Sequence, residues 1–85
     1  MDKRRKSGRI RQPDDWAALS KGLLKAELVK RGIGYQQLAE RLDALGVTYT
    51  TENLTNKVNR GKFSTMFLLQ CLEAIECKVL RISED

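Results

Sequence analysis

Apolar side chains recur at helical spacing in four short windows of this chain, and each window closes on a glycine or opens on a capping residue. Trp16, Leu19, Leu23, Leu24 and Leu28 form the first window, and Leu38, Ala39, Leu42 and Leu45 the second. Leu54 and Val58 anchor the third, and Leu68, Leu69, Leu72 and Ile75 the fourth. Side chains in a strand alternate with a period of two, so this pattern has no strand solution. The chain is therefore predicted to be all-α, a compact four- to five-helix bundle whose apolar stripes share one centre. Its 85 residues leave room for one core and no second domain.

The boundaries follow from local signals. Pro13-Asp14-Asp15 suits a helix start near Asp14, with carboxylates at the positive end of the dipole. Lys30 and Arg31 fit its last turn, and Gly32 fits a left-handed cap. Gly22 inside this helix costs about 1 kcal/mol against Ala, a cost that close packing would explain. A second helix is expected from Tyr35 to Leu45, stopped by Gly46. After Val47-Thr48-Tyr49, Thr50 or Thr51 caps a third helix that ends before Gly61. Ser64 caps the fourth, with Phe63 placed as a staple against Leu68. This fourth window is strongly apolar and so is expected at the centre. The tail from Cys77 to Ile82 is too short to assign by period, and an extended edge, a helical turn and a docking segment all fit it.

Charge divides the chain in two. Lys3, Arg4, Arg5, Lys6, Arg9 and Arg11 stand against Asp2 alone, so the net charge of +5 belongs to residues 1–12 and the rest is balanced. With no apolar periodicity, residues 1–12 are expected to be a disordered basic arm on a domain spanning 13–85. Such an arm is drawn to polyanions, because each neutralised phosphate releases counterions. RNA and anionic membrane surfaces satisfy the same rule, so the arm names a class of partner only.

Several functions are disfavoured. Cys71 and Cys77 are six apart, roughly 240° on a helix, so a disulfide between them is not expected. There is no His and no closely spaced cysteine pair, hence no metal or other cofactor is expected. Buried thiols in a reducing cytosol fit the two cysteines. No apolar leader and no run of membrane length are present, which points to the cytoplasm and away from a membrane. Without a phosphate-cradling glycine loop or a nucleophile beside a base, the chain is not expected to be an enzyme.

The third helix carries the functional signal. With Leu54 and Val58 pointing inward, Asn53, Asn56, Asn59 and Arg60 occupy the opposite face, flanked by Thr55 and Lys57. No acid occurs between Asn53 and Lys62. Asn costs about half a kcal/mol per helical position relative to Glu, Lys, Gln or Arg, so three of them on one face call for a reason. Base readout supplies one, since the Asn amide pairs with adenine N6 and N7 and Arg with guanine O6 and N7. A bland reading also exists, in which Asn53 caps the helix and Asn59 ends it. Lys62 fits a phosphate contact near the helix end, and Thr51 completes the candidate set at its start. Tyr35, Gln36 and Gln37 open the second helix, where free amides and the dipole can meet a phosphate.

Gln36-Gln37-Leu38-Ala39-Glu40-Arg41-Leu42, Leu45-Gly46-Val47 and the run from Leu54 to Lys62 together resemble the phage-repressor, lambda repressor-like helix-turn-helix. That resemblance implies a recognition helix in the major groove of double-stranded DNA. The pattern departs in one place, because Ala39 and Gly46 are seven apart where the family places its turn glycine four after its alanine. Helix two is thus about one turn longer, which leaves open which of Asn53, Asn56, Asn59 and Arg60 reach bases. The stretch from Trp16 to Leu80 also resembles a small bacterial family catalogued as a domain of unknown function.

The expectation is therefore a sequence-specific transcriptional regulator, a repressor acting as a homodimer, with the basic arm on the DNA backbone. The competing expectations are a protein-interaction module, antitoxin-like or a phage adaptor, and nucleic-acid binding without sequence choice.

Overall fold

The computed structural model describes residues 12–82. The basic arm, with Lys3, Arg4, Arg5, Lys6, Arg9 and Arg11, lies outside the described residues. Four helices make up the fold: α1 (Pro13–Lys30), α2 (Tyr35–Ala44), α3 (Thr51–Arg60) and α4 (Thr65–Ala74). Among the described residues there is no strand.

Each helix begins where a side chain or carbonyl satisfies an otherwise open amide. Asp15 accepts from the Gln12 N–H at 2.9 Å, and the Gln37 side chain accepts from the Gly34 N–H at 2.9 Å. The Thr50 hydroxyl accepts from the Asn53 N–H and the Ser64 hydroxyl from the Phe67 N–H, both at 3.0 Å. Caps of this kind contribute about 1 kcal/mol each. Three helices are followed by glycines with positive φ: Gly32 (66°), Gly46 (83°) and Gly61 (71°). At the end of α4 the Arg41 guanidinium donates to the Ala74 carbonyl at 3.1 Å, tying α2 to the terminus of its neighbour.

The core joins Leu24 and Leu28 of α1, Leu38 and Leu42 of α2, Leu54 and Val58 of α3, and Phe67, Cys71 and Ile75 of the α4 region. Fully burying one such leucine or phenylalanine contributes about 1.5–3 kcal/mol. α3 packs against α1 and α2, and α4 packs against α2.

Three expected core positions turn outward. Leu69 is 58% exposed, and the buried face of α4 is instead made of Phe67, Cys71, Leu72 and Ala74. Aromatic contacts set this rotation. Phe67 lies edge-on to Tyr49, with ring centroids 5.6 Å apart, and tilted against Phe63 at 5.3 Å. Leu45 is the capping residue at the end of α2 rather than part of its stripe, and it is exposed. Trp16 sits in a first turn that is exposed throughout. Gly22 was expected to mark close packing, yet a Cβ placed there would meet nothing within 4 Å.

Behind the core, α1 carries a buried carboxylate. Glu27 accepts from Arg31 and, at 3.4 Å, from Lys30, and the Cys77 thiol approaches it at 3.7 Å. The Arg31 guanidinium holds the Glu27 carboxyl below its usual range. Cys71 is fully buried and its thiol is pushed up to about 12, which keeps it protonated and inert. Both cysteines are free. No helix among the described residues is long and apolar enough to cross a membrane.

Candidate nucleic-acid interface

α3 fully buries only Leu54 and Val58 and leaves most of its other residues exposed. Asn53, Asn56 and Arg60 lie exposed on that face. With Tyr49 from the preceding loop and Lys57, they line a shallow polar concavity of about 260 Å³. Among the described residues, no hydrogen bond or ion pair engages the side chains of Asn53, Asn56 or Arg60. The donors and acceptors of this amide-and-guanidinium surface face solvent.

Other predicted residues in and beside this helix are placed differently. Thr55 is half-buried and donates to the Thr51 carbonyl at 2.7 Å, while Thr51 forms the first helical position. Lys57 is half-buried, its ammonium 5.2 Å from the Phe67 ring centre and 6.0 Å from that of Tyr49. Asn59 lies off the concavity and accepts from Lys25 of α1 at 3.1 Å. Lys62 stands 3.7 Å from Asp14, with both side chains largely exposed.

What fixes α3 in place is its crossing with α1. Gly61 is buried, and a Cβ there would stand 2.1 Å from the Ala17 carbonyl oxygen. Only glycine allows this approach, and only glycine tolerates its φ of 71° without strain. The C-terminal end of α3 is thus pressed against α1.

At the start of α2 the predicted set separates. Gln36 is exposed, Gln37 is engaged with the Gly34 amide, and Tyr35 packs on the core. The Tyr35 hydroxyl is buried without a hydrogen-bond partner, and burial raises its pKa. These three residues do not line the α3 concavity.

Sequence reasoning missed Tyr49 and Lys25. Tyr49 was legible only as a loop residue, and its place beside α3 follows from its contact with Phe67. Lys25 and Lys21 are four apart on α1, a spacing that puts them on one helical face, but nothing local says that this face borders α3.

The family described as a domain of unknown function, DUF6471, matches residues 16–80. The chain belongs to this family. The DUF6471 match runs from the first turn of α1 through the tail beyond α4, so it takes in the α1–α3 crossing and the whole polar face. No curated protein and no solved structure matches the chain.

Proposed function

We propose that this DUF6471 protein is a sequence-specific DNA-binding regulator, a repressor, that places α3 in the major groove. The observation that carries the reading is the outward face of α3, where Asn53, Asn56 and Arg60 are exposed and unengaged and no acid follows Glu52 on the helix. Asn and Arg are the side chains whose donor and acceptor geometry fits adenine and guanine edges. α2 and α3 stand in the roles of the two helices of a lambda repressor-like helix-turn-helix, with a longer connection between them. The basic residues before Gln12 add backbone attraction that is independent of sequence.

A single ten-residue helix reads few base pairs, so useful specificity calls for two copies on half-sites roughly 34 Å apart. Val79 and Ile82 of the C-terminal tail are 75% and 67% exposed, whereas Leu80 packs inward, and this supports the tail as the contact between copies. Selection from a random double-stranded DNA pool tests the reading. Enrichment of one palindromic consensus is the expected result, and a bound pool with no shared sequence would contradict it.

A second reading draws on α4. Met66 and Leu69 are 71% and 58% exposed, three apart on one helical face, which favours a protein partner there. A protein captured through α4 with no DNA bound through α3 would support that alternative.

A further inference from the structure

The cations around α3 differ in what holds them. Lys62 is paired with Asp14, so it already faces a carboxylate. Lys25 and Lys57 are held by neutral groups. The Asn59 side-chain carbonyl accepts from Lys25, and the faces of Phe67 and Tyr49 receive Lys57. Among the described residues, no carboxylate pairs with Lys25 or Lys57. A neutral partner fixes the position of an ammonium without cancelling its charge.

Asn59 therefore differs from the other two asparagines of α3. Its amide oxygen is turned toward α1, and it does not line the concavity that Asn53, Asn56 and Arg60 share. The Gly61–Ala17 approach presses this end of α3 against α1, so Lys25 stands beside the reading helix and on a separate element. A helix lying in the major groove has phosphate backbone on both of its flanks.

We infer that Lys25 is a DNA-phosphate contact on α1 and that Asn59 is its positioning residue, not a base reader. This assignment rests on the DNA-binding reading of α3. It divides the helix into a reading set, Asn53, Asn56 and Arg60, and an anchoring pair, Asn59 with Lys25, that fixes how α3 sits in the groove. Lys57, held over its rings, is a second anchor on the opposite flank of the reading set.

The test uses the full-length protein, site selection from a random DNA pool, and affinity on the selected site across a salt series. Lys25→Gln keeps the length of the side chain and removes its charge. It should weaken selected and unrelated DNA by the same factor and lower the salt slope by about one unit. Asn59→Ala should select the wild-type consensus at every position and lose affinity uniformly, with little further loss when combined with Lys25→Gln. A consensus altered by Asn59→Ala would make Asn59 a reader and overturn the assignment. An unchanged salt slope in Lys25→Gln would remove Lys25 from the backbone and overturn it equally. Both leave the reading of α3 standing, whereas a wild-type protein that selects no site overturns that reading and this assignment with it. Thermal melting of both variants, expected near the wild-type value, separates these effects from loss of fold.

Discussion

A Cβ at residue 61 would stand 2.1 Å from the Ala17 carbonyl oxygen, while a Cβ at residue 22 would point into open space. The same substitution should therefore have opposite signs at the two sites. Gly22→Ala removes a backbone-entropy cost in mid-helix and should stabilise the fold by about 1 kcal/mol. Gly61→Ala must leave the left-handed region or force α1 and α3 apart, and should destabilise by about 2–5 kcal/mol. Chemical denaturation of the two variants measures both; a destabilised Gly22→Ala would show that this glycine packs against something. Glu27 adds a pH signature. Its carboxyl is held below the ordinary value of 4.5, chiefly by the Arg31 hydrogen bond. Its stabilising contribution is complete above that value and is lost as pH falls through the lowered one. Glu27→Gln should therefore be less stable than wild type at neutral pH, and the gap should close in acid. A gap of constant size from pH 7 to pH 2 would show that the Glu27 charge is not what stabilises it.

At the scale of the helix, what could be read from sequence was what is encoded locally. The starts expected at Tyr35, at Thr50 or Thr51 and at Ser64 lie within one residue of the observed starts of α2, α3 and α4. The inward face of α3 was equally legible, because Leu54 and Val58 are its two apolar residues and leave no alternative rotation. α4 was different. With Met66, Phe67, Leu68, Leu69, Cys71 and Leu72 in one run, several faces are apolar, and only the meeting of Phe67 with Tyr49 and Phe63 decides between them. Asn59 and Lys25 were illegible for the same reason, since their bond spans 34 residues and depends on how α1 crosses α3. Leu54→Ala should cost about 2–5 kcal/mol of stability through lost packing, read as a shift in the denaturation midpoint. A loss under 1 kcal/mol would mean that α3 is not clamped by the core.

For the whole molecule, the proposed function assigns attraction and selection to different parts of the chain. The charge of residues 1–11 equals the entire net charge of the chain, while residues 12–85 are balanced. Deleting residues 1–11 should weaken binding to every DNA sequence and flatten the salt dependence, with the melting temperature nearly unchanged. Equal affinity of the truncated and full-length proteins at low salt would show that the arm does not touch DNA. In the proposed reading selection belongs to α3, and one ratio measures it: the affinity for the selected site divided by that for unrelated DNA, at fixed salt. For the wild type this ratio should be about 10³ or more. In Asn56→Ala and Arg60→Ala it should fall about 5- to 150-fold, the equivalent of 1–3 kcal/mol for one lost base contact, with melting temperatures unchanged. A ratio that stays at the wild-type value in both variants would contradict the assignment of α3 as the element that reads DNA.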